Sequence, residues 1–177
     1  MSALKQFNIP IRGLKTGFHE YEFSIDQDFF SEFEGSPIQK GGFEVKFILD
    51  KREDMLVLTF DFKGSMSTDC DRCLANINLP MQANEDLIVK YADEANEEDV
   101  VIYISRETTE LNVAKYLYES IILAMPVTNV YNCEEEKENV CDLEMLKYLE
   151  NKAEKEQEEK PSDGDSPWDA LKDFNKN

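Results

Sequence analysis

The first half of the chain is written in alternation. Phe43, Val45, Phe47 and Leu49 take every second position, with Glu44, Lys46 and Ile48 between them, as a strand buried on one face requires. Leu56, Leu58, Phe60 and Phe62 repeat the pattern after a charged connection, Asp50-Lys51-Arg52-Glu53-Asp54. A hairpin is therefore expected, opened by Gly41-Gly42, with Gly64 as a bulge or corner at its end. Upstream, Leu4 to Ile11 reads as a strand, and Lys15 to Ile25 as another with Phe18, Tyr21 and Phe23 inward. Asp26 opens a short helix, because its carboxylate can accept from the unbonded N–H groups of a first turn. Phe29, Phe30 and Phe33 give that helix an apolar face, and Gly35-Ser36-Pro37 ends it. Leu74 to Met81 and Leu87 to Tyr91 are two further alternating runs, and Val100 to Ile104 is a last short strand beyond an acidic loop, Ala92 to Asp99.

The period then changes. Leu111, Ala114, Leu117, Tyr118, Ile121, Ile122 and Met125 recur at spacings of three and four, the stripe of an amphipathic helix, and Pro126 stops it. Leu143, Met145, Leu146 and Leu149 predict a second helix running into the charged stretch Lys152 to Lys160. Strands followed by helices point to an α+β domain over residues 1–150. Its expected form is a curved, barrel-like antiparallel sheet with one main amphipathic helix packed on it. Residues 151–177 read as a charged linker and a short C-terminal helical hook, in which Trp168, Leu171 and Phe174 share one face.

Composition narrows the function classes. The formal net charge is −19, from 19 basic and 38 acidic residues. Residues 1–80 hold 9 basic and 13 acidic residues, a net of −4, which leaves −15 for residues 81–177. Such a chain repels phosphate backbones at long range, so a simple nucleic-acid clamp is disfavoured. No basic start followed by an apolar run marks a signal peptide, and no window has the length of a membrane span. A cytoplasmic location is expected, where thiols stay reduced. His19, the single histidine, reads as a surface strand residue. With no second His, no phosphate loop and no Ser/His/Asp set, nothing marks an enzyme.

The candidate chemistry lies in Cys70-Asp71-Arg72-Cys73 and the later Cys133 and Cys141. Two readings stand side by side. The four thiolates could converge on zinc, for which the first pair has suitable spacing. Alternatively they bind nothing and are buried as small apolar groups. The second pair, split by seven residues and without glycine, weighs against a metal. Thiol–disulfide catalysis is a weaker reading, because the residues after Cys73 read as strand, not as the helix start that activates such thiols. In either main reading the cysteine turn is expected to meet the loop after Pro126.

The order of these features carries a resemblance. A strand-rich half leads to Cys70-Asp71-Arg72-Cys73 and then an acidic loop. A helix follows, ending in Glu119-Ser120-Ile121-Ile122-Leu123-Ala124-Met125-Pro126-Val127, and then a cysteine. Asp165-Ser166-Pro167-Trp168-Asp169-Ala170-Leu171-Lys172 lies near the end. From about Gly42 onward this resembles the DUF177/YceD family of bacteria and plastids. The resemblance implies a part in accumulation of 23S rRNA and assembly of the large (50S) subunit, without enzyme activity. By motif it points to Cys70, Arg72 and Cys73, and further on to Pro126 and Cys133. Many relatives carry a Gly-rich cysteine cluster of zinc-ribbon type after the proline. Here Cys133 and Cys141 flank glutamates instead, which bears on the metal and not on the family.

The functional expectation is a ribosome-biogenesis accessory protein that binds precursor 23S rRNA, an early large-subunit ribosomal protein, or both, with any RNA contact local and made through Arg72, Lys63, Lys51 and Arg52. Read one at a time, these are ordinary solvated charges. The alternative is an acidic module whose C-terminal half and Trp168 hook dock a basic ribosomal protein without touching RNA. Neither reading needs a membrane or a small-molecule substrate, and zinc is the one cofactor to consider.

Overall fold

Alternation does become sheet, over longer strands than the sequence suggests. A computed structural model describes residues 3–93, 96–98, 101–130 and 141–158. The strands are β1 (Asn8–Pro10), β2 (Gly17–Ile25), β3 (Lys40–Lys51), β4 (Met55–Asp69), β5 (Asn76–Ala92), β6 (Asn96–Glu98), β7 (Val101–Ser105) and β8 (Glu110–Asn112). The helices are α1 (Gln27–Ser31), α2 (Ala114–Leu123) and α3 (Leu143–Glu158), and a 3-10 turn, Ala3–Phe7, precedes β1. Among the described residues the main sheet runs β2-β3-β4-β5-β7-β6, and β1 pairs with β8 alone.

Neighbours from β2 to β5 are antiparallel, β7 joins β5 in parallel, and β6 lies antiparallel to β7. The sheet ends at β2 on one side and β6 on the other. It is open, so the barrel-like form expected is not met, and it is mixed, not purely antiparallel. The β6–β7 hairpin turns the chain back so that β7 can meet β5 in parallel without a long crossover.

One face of the sheet carries the core. Phe43, Val45, Phe47 and Leu49 on β3, and Leu56, Leu58, Phe60 and Phe62 on β4, are all buried. Phe47 and Phe60 are register partners whose rings stack at 5.0 Å. Burying one such side chain contributes about 1.5–3 kcal/mol. Ala114, Leu117 and Ile121 of α2 are buried in the same core, as their spacing predicts. Phe33 beyond α1 stacks on Tyr118 of α2 at 4.0 Å, which joins the two helices.

Four expectations shift, each for a reason that the neighbouring strands or the phase of the strand supply. Residues 3–7 are a 3-10 turn, not strand: β8 is three residues long and offers Asn8–Pro10 no further ladder. Phe18 faces solvent at 76 % exposure. It is out of phase with Tyr21 and Phe23, and a period of two allows only one set inward. Gly64 is not a bulge, since the β3–β4 register runs unbroken from Lys51↔Leu56 to Lys40↔Ser67. It is a point of close approach, where any Cβ would strike the Gly42 carbonyl and Phe43. Lastly, the two runs after the cysteines form one strand of 17 residues. The polar stretch Gln82–Asp86 would not hold as strand alone, but each of its residues pairs with β4. The expected boundary at residue 150 falls inside α3. Trp168, Leu171 and Phe174 lie outside the described residues.

Candidate functional site

The cysteine turn joins β4 to β5. The Cys70 amide donates to the Ala75 carbonyl at 2.8 Å, and the Leu74 amide donates to the Cys70 carbonyl at 2.8 Å. Closing this loop puts Leu74 at φ 59°, a left-handed conformation that costs a side-chain-bearing residue about 1–2 kcal/mol. Both cysteines turn inward and are 1 % exposed, while Leu74 is exposed.

The chain after α2 folds onto this turn. The Asp71 amide donates to the Asn129 carbonyl at 2.8 Å, and the Asn129 amide donates to Asp71 Oδ2 at 2.6 Å. The chain then returns at Cys141. Cys70, Cys73, Ile77 and Cys141 form one small buried cluster, and Met145 and Leu146 of α3 pack against it. Asp142 starts α3 immediately after Cys141, its Oδ1 accepting from the amides of Glu144 and Met145. N-capping thus fixes where the helix begins and where Cys141 sits. The expected meeting of the cysteine turn with the post-proline chain is present in the Asp71–Asn129 pair and in Cys141.

The sulfur chemistry is uneven. Cys70 and Cys73 are thiols, Cys141 is disulfide-bonded, and Cys133 lies outside the described residues. A zinc site of four thiolates needs Cys141 reduced, so in this state the donors do not fit the ion. Among the described residues no group of three or more His, Cys, Asp or Glu is arranged to hold a metal. The two thiols also lie in a strand-to-strand turn and not in the first turn of a helix of their own, where such thiols are activated.

The four basic residues singled out in the sequence do not share a surface. Arg72 is exposed at the cysteine turn. Lys63 lies on the outer face of β4, opposite Glu44. Lys51 and Arg52 sit at the other end of β4, whose 15 residues extend roughly 45–50 Å at about 3.3 Å each. Lys51 is tethered, its Nζ donating to the Ile11 carbonyl at 2.8 Å and to that of Leu14 at 2.9 Å. Arg52 pairs with Asp50 at 2.8 Å.

That far end holds a cleft of about 650 Å³, lined by residues 11–16, 51–53, Tyr91, Arg106 and Thr108. It gathers Arg12, Lys15, Lys51, Arg52 and Arg106 against one carboxylate, Glu53. Besides the Lys51 tether, the amides of Ile11 and Arg12 donate to the Thr109 carbonyl at 3.0 and 3.1 Å. His19 Nε2 donates to the Lys15 carbonyl at 2.8 Å, so the single histidine is a prop for this loop. Arg106 lies over the Tyr91 ring, 5.8 Å from its centroid. Burial pushes the Tyr91 phenol above its ordinary value of 10.0, and the Arg106 guanidinium pulls it back only in part. Arg12, Lys15, Tyr91 and Arg106 escape a sequence reading because four separate segments supply this cleft. Only the doublet Lys51-Arg52 marks it locally.

The comparisons complete the description. A family model described as large ribosomal RNA subunit accumulation protein YceD matches residues 58–175. No curated protein and no solved structure matches. The matched span takes in most of β4, the cysteine turn, β5, α2 and α3. Residues 11–16 and 51–53 of the cleft precede it. No described helix is long and apolar enough to cross a membrane.

Proposed function

We propose, because the chain belongs to the YceD family of large ribosomal RNA subunit accumulation proteins, that it is a non-enzymatic aid to large-subunit assembly. It acts in the cytoplasm and promotes 23S rRNA accumulation by binding precursor rRNA. The observation that carries this reading is the family match, which includes the cysteine turn and both elements clasped to it.

In this reading the cysteine cluster is structural. It clasps the chain between α2 and α3 onto the β4–β5 turn, so that one rigid body presents Arg72 and Leu74 at its tip.

The rival is docking of a basic ribosomal protein by acidic surface alone. It draws on the outer sheet face, where Glu20, Glu22, Glu44 and Asp61 outnumber Lys46 and Lys63. Two measurements separate the readings. The protein should comigrate with large-subunit precursors on a gradient, and it should retain 23S fragments on a filter in a salt-dependent way. Comigration that survives RNase, with no filter retention above that of an unrelated acidic protein, favours the docking module and rejects RNA contact.

A further inference from the structure

We infer that the cleft at the β3–β4 turn is the place where this acidic protein takes RNA, and that it takes a single-stranded segment. The inference rests on the RNA-binding reading above and gives it a site that the family match does not assign.

Charge comes first. The whole chain is −19, yet among the described residues five cations and one carboxylate line this cleft, a local formal charge of +4. A phosphate backbone repelled by the body as a whole can be held only where positive charge is concentrated, and a concave wall of low dielectric focuses that charge. Among the described residues no carboxylate lies within ion-pair distance of Arg12, Lys15 or Arg106. Arg12 and Lys15 are exposed on a loop, and Arg52 keeps about half of its side chain in solvent despite Asp50.

Pre-organisation comes second. Lys51 does not face ligand as an open charge. It is a positioning residue, and its two bonds to Ile11 and Leu14 carbonyls hold the loop that presents Arg12 and Lys15. Thr109 and His19 secure the same loop at two more points. The cations are therefore set in place before any ligand arrives, which lowers the ordering cost of binding.

The third point selects single strands. Tyr91 on the cleft wall, with the Arg106 guanidinium over its ring, combines two planar groups on which unpaired bases stack. A base inside a duplex cannot reach such a wall. The volume, about 650 Å³, suits one or a few nucleotides and lies within the ordinary range of ligand clefts.

The test uses the full chain and two probes, a labelled oligouridylate and a fully paired RNA duplex of the same length. Arg12→Glu with Lys15→Glu should weaken oligouridylate binding by about tenfold or more, and should flatten the slope of log K against log salt by ~1.4, at ~0.7 per lost phosphate contact. Tyr91→Phe should bind like the parent and Tyr91→Ala several-fold more weakly, the mark of stacking and not of the hydroxyl. Lys40→Glu with Lys46→Glu, both exposed on β3 away from the cleft, makes the same charge change and should leave affinity within about twofold. Circular dichroism of each variant should match the parent, since Arg12 and Lys15 are exposed. If the parent binds oligouridylate and both double reversals weaken it equally, the cleft assignment is wrong while RNA binding stands. If duplex binds as tightly as oligouridylate, the single-strand assignment is wrong. If the parent retains neither probe nor any 23S fragment, the RNA reading itself is lost.

Discussion

Asp71 and Asn129, 58 residues apart in sequence, hold each other by two hydrogen bonds. The Asp71 amide reaches the Asn129 carbonyl, and the Asn129 amide reaches the Asp71 carboxylate. One side chain and three backbone groups thereby join the cysteine turn to the chain leaving α2. The Asn129 side chain takes little part. Its Nδ2 lies 3.5 Å from Thr68 Oγ1, and its Oδ1 is buried without a partner. Asp71→Ala should therefore cost about 1–2 kcal/mol, the loss of a bond to a charged acceptor. Asn129→Ala keeps both backbone bonds and should stay within about 0.5 kcal/mol of the parent. Urea unfolding measures both, and a larger cost at Asn129 would contradict this account of the clasp.

Gly64 and Gly42 pose a second contrast. A Cβ at Gly64 would collide with the Gly42 carbonyl and Phe43, whereas one at Gly42 would meet only the Ile25 carbonyl, at 3.5 Å. Gly64→Ala should destabilise by about 1–3 kcal/mol through forced separation of β3 and β4. Gly42→Ala should cost far less. Thermal melts of the pair decide, and equal melting points would show that the approach at Gly64 is not tight.

Tyr91 supplies a pH dependence. Its phenol is raised by burial, with Arg106 opposing. The folded chain thus holds this proton more tightly than the unfolded chain does, and the associated stability is lost as pH climbs from about 10 through the folded value. Phenolate absorbance of the parent minus that of Tyr91→Phe isolates this group. Its midpoint should exceed that of free tyrosine, and Arg106→Gln should move it further up, because the cation favouring phenolate is gone. A downward move would place Arg106 elsewhere.

The cysteines can be mapped by alkylation and peptide mass. Cys70 and Cys73 are buried thiols, so they should resist labelling in the folded protein and label on unfolding without reductant. Cys141 should label only after reductant is added. Rapid native labelling of Cys73 would mean that the turn does not point its thiols inward.

The legible parts of this molecule were those with local cause. Alternation at Phe43–Leu49 and Leu56–Phe62 marked the buried face of β3 and β4, and the three-and-four spacing at Ala114, Leu117 and Ile121 marked α2. Asp26 marked a helix start, and its carboxylate does accept from the Asp28 amide. Phe18 is apolar yet falls in the outward phase of β2, so its hydrophobicity alone does not place it. A glycine in a strand, as at Gly64, signals either a bulge or a close approach, and only the facing strand distinguishes them.

Amino-acid order by itself determined the α+β class, the sheet-forming stretches, the cysteine turn and the family. Each follows from side chains acting on near neighbours or from motifs read in line. Tertiary structure alone decided that the sheet stays open, that Gln82–Asp86 is strand, that Cys141 joins Cys70 and Cys73, and that five cations gather at one end of an acidic chain. Those outcomes depend on groups brought together from distant positions by strand pairing and core burial, and no local pattern encodes which distant segment arrives.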